Sequence, residues 1–534
     1  MTAPQDFRNA VPQNPPRRGS LECHHGHSPR QPSPAALNAL NGHGDPGKFG
    51  RMFPFLPPLV VPDEALLDLA RAMKDPDPGG AAGNNPEVPA GFTYLGQFID
   101  HDITLDLTPQ EVQREDPLAT VNFRTPALDL DALYGPGPAL APYLYQRDPA
   151  TGAMTPKLLV GRATASPDEA GGLVPDLPND LPRSSAGRAI IGDERNDENL
   201  LVAQTHLAFI RFHNAVVDWV AERTPGLSAA ELFDEARRLA TWHYQWIVLF
   251  DFVERLTEPG LVRRIRREGR RFYRFRSRPY MPVEFSAAAY RLGHSMVREG
   301  YNHNRVFRFG PGALAPATLG LLFAFTAKSG AILGNLAAGA PAGAFPPVGP
   351  QASLPSNWVI DWRRYFDFGG NPDGVTVNPS RRIDPMLVPA LHTLPGAPSE
   401  KMGNLAFLNL RRGVLLGLPS GQAVAAAMGV APLDPQDIAD AGPDGAAAAE
   451  HGLHRTTPLW YYILKEAELL REGRRLGPVG ATILAETFLG LVHGDHRSFL
   501  WMRSNWTPEL PRADPDTFTM TDLLNFVGDI NPVG

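Results

Sequence analysis

Between Glu198 and Leu256 two apolar patterns of helical period follow one another. They run over Glu198–Arg223 and Ser228–Leu256, and the second carries Trp242, Trp246 and Phe250 at i, i+4 and i+8. That spacing puts three large rings on one stripe, which only a helix facing a core can bury. Elsewhere strand-like alternation is scarce. The fold class expected is therefore mainly α, a single large helical domain with long loops and little β-structure.

Further helices are expected from Pro62-Asp63-Glu64 onward and over Tyr94–Leu105, Ser286–Arg298 and Pro316–Ala327. Others fall on Gly421–Gly429, Thr457–Leu470, Ala481–Val492 and Met520–Phe526. With 55 prolines and 51 glycines, irregular connections are long. Tyr145–Ile191 shows no period and reads as one long loop that is functional or wraps a scaffold. Residues 1–50, rich in Pro, Gly, Asn and His, read as a flexible arm, and residues 51–534 as the domain. The arm's His24, His25 and His27 read as part of a disordered polar tract rather than a metal site.

The 534 residues carry a net charge of -7, which does not suggest a nucleic-acid partner. One cysteine, Cys23, excludes a disulfide framework within the chain. Met1–Arg18 lacks the apolar core of a secretory signal. The apolar stretch Leu319–Phe325 is too short to span a bilayer. A soluble protein is expected, cytoplasmic or exported without a recognisable signal. Arg263–Arg278 holds nine arginines interleaved with Phe272, Tyr273 and Phe275, and reads as a solvated helix end and loop making ion pairs.

Against this background one segment stands out, Gly96-Gln97-Phe98-Ile99-Asp100-His101-Asp102. On a helix Gln97, Asp100 and His101 can look into one pocket while Asp102 looks elsewhere. Four more segments carry polar residues at helical spacing. Gly192–Asn199 aligns Arg195 with Glu198, and Tyr290–His294 aligns Arg291 with His294, with Gly293 leaving room for something flat. Leu405–Gly413 contains Asn409, and Arg124–Asp131 is rich in carboxylates. Taken singly, a buried histidine is usually a hydrogen-bonded core residue, and an Arg/Glu pair is usually a surface ion pair. Two histidines on separate helices, each with an arginine at hand, suggest a cofactor held between helices.

In this order the segments resemble the animal-type haem peroxidases, the peroxidase–cyclooxygenase superfamily, with the closest likeness to bacterial members without disulfides. The resemblance runs from about Phe49 to about Val492. It implies an oxidoreductase that reduces H2O2 through a ferryl intermediate and takes part in the response to oxidative stress. His101 resembles the distal acid–base, Arg195 the distal arginine and Gln97 the glutamine that binds distal water or halide. His294 resembles the ligand of haem iron, Asn409 the acceptor of that imidazole's other N–H, and Arg291 a partner of a haem propionate. Asp100 and Glu198 match the carboxylates that form ester bonds to haem, so a covalently linked haem b derivative is implied. Asp102, Thr125, the Ala127 carbonyl, Asp129 and Asp131 resemble a Ca²⁺ site, an oxygen cage that suits this ion. His213 and Asn214 also match, and read as structural.

The strongest chloride oxidisers of the family carry methionine after the matching glutamate. Here Asn199 stands there, which favours bromide, iodide, thiocyanate or small aromatic donors. After Leu410 the loop also departs from the family's Arg-Asp-His-Gly pattern, at Val414–Gly417. Two alternatives share the fold. A fatty-acid dioxygenase would carry tyrosine three residues before the proximal histidine, where this chain has Arg291. A non-enzymatic adhesion protein would be expected to lose the distal groups, yet His101 and Arg195 are present. A non-haem metal hydrolase built on Asp100-His101-Asp102 would need a second histidine nearby at helical spacing, and none stands there. Oligomeric state is not legible.

Overall fold

The computed structural model describes residues 49–105, 122, 124–276, 278–326, 352–370, 374–394 and 397–534. The expected arm, with its histidine cluster, falls almost wholly outside these. Its last residues, Phe49–Gly50, form a short strand beside Met281–Pro282.

The architecture is mainly α, as expected. Helix α1 spans Asp63–Ala72, α2 Gly91–Ile103, α3 Leu200–Arg223 and α4 Ala229–Ile247. The two long stripes become α3 and α4, which pack along each other. Ser228 starts α4 with a reciprocal cap: its hydroxyl accepts from Glu231 N while the Glu231 carboxylate accepts from Ser228 N. After Ile247 the helix passes through a π-turn, Val248–Phe252, before Val253–Leu256. Such a turn inserts an extra residue and changes which side chains face inward. Here it aims Phe252 at Gly96, where an added Cβ would lie 3.1 Å from the Phe252 ring. Only glycine fits that contact without displacement.

Helix α2 is fixed from both sides. Phe98 stacks on Phe209 of α3 with ring centroids 4.7 Å apart, and meets Tyr244 of α4 edge-on at 6.2 Å. It ends where Thr104 turns extended and its hydroxyl bonds both the carbonyl and the carboxylate of Asp100. The later helices α5 Leu405–Leu415, α6 Leu459–Arg471 and α7 Pro478–Gly494 complete the bundle around the same core.

Two expectations change. Tyr145–Ile191 is not one loop: Tyr145–Arg147 pairs with Met154–Leu158, Gly161–Ala163 with Leu177–Asp180, and Ser166–Pro167 with Leu173–Val174. These strands are too short and too half-exposed to show alternation. The first ladder is pinned to α3 by Asn214, whose amide accepts from Leu158 N and donates to Leu158 O, and by His213, whose Nε2 donates to Pro156 O. The Ser286–Arg298 helix is likewise absent. One α-turn, Val283–Ser286, and a 3₁₀ turn, Ala289–His294, stand there, broken at Ala288 with φ -132 and ψ -78. Among the described residues, no helix is long and apolar enough to cross a membrane.

Candidate functional site

The 3₁₀ geometry is what aligns the polar residues. With three residues per turn, i and i+3 eclipse. Arg291 and His294 sit at that spacing in the Ala289–His294 turn, and Arg195 and Glu198 in and just beyond the Glu194–Asp197 turn. Expected as a helix start, Gly192–Asn199 is thus a tight turn, and α3 begins one residue later. Asn199 caps α3, its side chain accepting from Val202 N. The same amide donates to Gln97 Oε1 at 2.8 Å, and Gln97 donates in turn to Glu198.

His101 is buried and its two ring nitrogens have different surroundings. Nδ1 lies 2.8 Å from Asn196 Oδ1, and Asn196 Nδ2 lies 2.9 Å from His206 Nδ1. A carboxamide oxygen only accepts and its nitrogen only donates. His101 therefore carries its proton on Nδ1, and His206 accepts at Nδ1. Nε2 of His101 is left as the basic atom, 3.5 Å from Glu198 Oε1. Burial pushes His206 down to about 3, which keeps it neutral. Burial opposes the charge on Glu198, but His101 when protonated, then Arg195 and Gln97, more than offset this and lower its pKa.

Arg195 is held from behind. Its Nε and Nη2 donate to the Asp193 carboxylate at 3.0 and 2.8 Å, and Nη2 also donates to His101 O at 2.9 Å. Asp193 is shared with buried Arg124, which also reaches Asp131 at 3.0 Å. Burial alone would raise Asp193, yet Arg195 and Arg124 hold it well below the usual carboxylate range. Asn196, His206, Asp193 and Arg124 were not read as site residues from the sequence. Their importance lies in partners up to 95 positions away, although the Gly192-Asp193 step before Arg195 hinted at one of them.

On the facing wall, His294 Nδ1 lies 2.8 Å from Asn409 Nδ2. The amide nitrogen therefore donates here, the reverse of the expected acceptor role. A half-turn of the nearly symmetric carboxamide would exchange the two ends. Burial, then the charge of Arg291, pushes His294 down to about 3, while Asp100 and Glu198 pull the other way. Arg291 Nε donates to Ser286 O. Tyr290 stacks on Phe285 at 4.7 Å, and its hydroxyl donates to Gly96 O, which ties this turn to α2.

Gln97, Asp100, Arg195, Glu198, Arg291, Gly293 and His294 all keep partial exposure although their elements are otherwise buried. This is the partial exposure that the lining of an internal cleft would have. A Cβ built on Gly293 would meet nothing within 4 Å, so the backbone beside His294 faces open space. One imidazole, two carboxylates and two guanidiniums around such a space, with buried His101 3.5 Å behind Glu198, fit a flat anionic cofactor with a metal at its centre.

The expected calcium ligands are Asp102 and the segment Thr125–Asp131. Among the described residues no three His, Cys, Asp or Glu side chains gather so as to hold a metal ion. The segment does reach α2. Leu130, in the left-handed region at φ 55, donates its N–H to Asp102 Oδ2 at 3.2 Å, and Tyr244 donates there at 3.3 Å. Its carboxylates, however, face cations: Asp131 meets Arg124, and Asp129 meets Arg497 at 3.3 Å. Thr125 and Ala127 lie in the same turn, where Ala127 N donates to Thr125 O.

Residues 106–311 match the family model of animal haem peroxidase. Chorion peroxidase of Drosophila melanogaster is 32% identical over 147 residues, which is 26% of this chain and 18% of that protein. A peroxidase-like protein of Margaritifera margaritifera is 30% identical over 130 residues, covering 23% and 15%. Thyroid peroxidase of Canis lupus familiaris is 29% identical over 188 residues, covering 34% and 20%. The chain thus spans a fifth or less of the length of these curated relatives. All three are animal proteins, so the expected leaning toward bacterial members finds no support among them. Among solved structures, peroxidase A from Dictyostelium discoideum superposes with a TM-score of 0.57 at 15% identity, over 91% of this chain and 94% of that one. Oryza sativa fatty acid alpha-dioxygenase gives 0.55 at 14%, over 89% and 78%. At such identities the likeness shows the fold, the helical fold of haem peroxidases.

Proposed function

We propose that the chain is a haem peroxidase that reduces H2O2 and oxidises bromide, iodide, thiocyanate or small aromatic donors. What supports this reading is that Glu198 relates the two histidines, lying 3.5 Å from His101 Nε2 and acting on His294 electrostatically, while Arg195 donates to the His101 carbonyl. His294 would hold the iron, Arg291 would meet a propionate, and Asn409 would orient His294 once its oxygen faces Nδ1. Haem, when bound, supplies the site where peroxide is taken up and the electrons of the donor are received.

The chain's own part is proton handling and charge. Nε2 of His101 takes the proton from the peroxide oxygen nearer the cofactor and returns it to the departing oxygen, as a neutral imidazole with one free nitrogen can. Arg195, locked by Asp193, presents a fixed positive charge while negative charge develops on the cleaving O–O bond. Gln97, held by Glu198 and Asn199, would orient water or the incoming anion. Asp100 and Glu198 would tether the porphyrin as esters. Asn199, where chloride oxidisers of the family carry methionine, favours the more easily oxidised anions.

Purified protein supplied with haem should show a Soret band, and acid-solvent extraction should leave the haem attached. A missing band sinks the assignment, and haem that extracts freely sinks the esters alone. Replacing His101 by Ala should lower peroxide reduction by at least about tenfold while haem stays bound. Calcium at Asp102, Thr125, Ala127, Asp129 and Asp131 is the part the geometry supports least. Metal analysis after dialysis decides it, and metal-free protein that keeps its activity removes calcium from the reading.

A further inference from the structure

The arginine run 263–278 takes no part in the cleft, and it does not behave as the ion-paired surface expected of it. Among the described residues only Arg264 and Arg267 reach a carboxylate, Glu258 at 3.6 Å and Glu268 at 3.1 Å. Five others lie over rings or bond carbonyls, among them Arg266, which donates to Ser504 O. Arg263 sits over Phe250, Arg270 over Phe275 at 4.3 Å and Arg271 over Phe272 at 5.5 Å, while Arg274 donates to Arg271 O. Arg271, Arg274, Arg276 and Arg278 are exposed. A protein of net charge -7 thus carries a net positive strip, its nine arginines set against Glu258, Glu268 and Glu486, whose carboxylate accepts from the N–H groups of Arg271, Phe272 and Tyr273.

Beside that strip stands an apolar projection. Phe53, 2% exposed, packs on Phe272 with ring centroids 5.7 Å apart. Directly after it the chain reads Pro54-Phe55-Leu56-Pro57-Pro58-Leu59-Val60, with Phe55 72% and Val60 84% exposed and all three prolines exposed. The loop is braced. Proline fixes φ at three positions, Leu59 N donates to Leu418 O at 2.8 Å, and Arg51 donates to Gly417 O and Leu416 O. An apolar tip held rigidly in water, with cations at its base, calls for a partner that is greasy inside and negative outside.

We propose that this face docks the protein on an anionic lipid bilayer, with Phe55 and Val60 entering the headgroup boundary and Arg271, Arg274, Arg276 and Arg278 meeting lipid phosphates and carboxylates. Attachment is peripheral, in keeping with the lack of a membrane-crossing helix among the described residues. The proposal stands independently of the haem reading, because Phe55, Val60 and the four exposed arginines have no part in that reading.

The test is sedimentation of the full-length protein with phosphatidylcholine vesicles, with and without phosphatidylserine. Binding should need phosphatidylserine and weaken with salt, and should fall about fivefold for each arginine removed, as in Arg271→Ala and Arg274→Ala. Phe55→Ser with Val60→Ser should lower it by at least about fivefold. Thermal melts equal to wild type would show that these exposed changes leave the fold intact. Equal binding to both vesicle types, or none, overturns the proposal. So does binding that follows the arginines but ignores Phe55 and Val60, which would mark a general polyanion site with nucleic acid or an acidic protein as its ligand.

Discussion

At the scale of residues, the reactivity of His101 depends on a neighbour the sequence does not advertise. Asn196 bridges Nδ1 of His101 and Nδ1 of His206, so the way its carboxamide faces sets which nitrogen of His101 is basic. Asn196→Ala removes the acceptor from Nδ1–H and frees the ring to change tautomer. Peroxide consumption should then fall about ten- to hundredfold, the usual cost of losing a partner that orients a reactive imidazole. Asn196→Asp, which still accepts at Nδ1, should recover part of the loss. Stopped-flow rates of both variants test this, and an unchanged rate in Asn196→Ala would remove Asn196 from the mechanism. His101, Arg195, Gln97, Glu198 and His294 were legible because reactive residue types at short spacing leave a local pattern. Asn196, Asp193 and Arg124 were not, because a supporting residue is defined by what folds against it.

Among the elements, the same contrast has a different cause. Helices α3 and α4 were legible from periodicity, since each buries one face over many turns. The paired strands between Tyr145 and Asp180 were not, because two to five residues cannot display a period. Nor was the π-turn, which alters phase within an otherwise regular apolar run. Packing of α2 carries a measurable consequence. Phe98 is fully buried between α3 and α4. Phe98→Ala should therefore destabilise by about 3–5 kcal/mol, partly through the cavity left behind. Equilibrium urea unfolding measures it, and a loss under about 1 kcal/mol would mean that the helices collapse to fill the space.

Across the whole molecule, buried imidazoles make stability depend on pH. His303 is fully buried, with Tyr365 OH at Nδ1 and Trp358 O at Nε2, and burial pushes it down to about 4. The unfolded chain would bind a proton there near the ordinary value, while the folded chain does not. Its contribution is therefore complete above about 6.5 and falls away as pH drops toward its folded value, at about 1.4 kcal/mol per pH unit. A His303→Gln variant lacks that slope, so the gap between it and the wild type should narrow on acidification. Thermal melts of both proteins from neutral pH to about 5 check the sign, and a widening gap would refute it.

Asn199 joins two of these scales, because one amide both starts α3 and holds Gln97 in the cleft. On the proposed peroxidase reading chloride chemistry would call for methionine there, and a thioether can neither cap a helix nor grip a carboxamide. The helix would lose about 1 kcal/mol, and Gln97 would keep only its bond to Glu198. The substitution that would widen the range of oxidisable anions thus weakens the scaffold that presents them. Any lineage taking that route must first find another cap for α3.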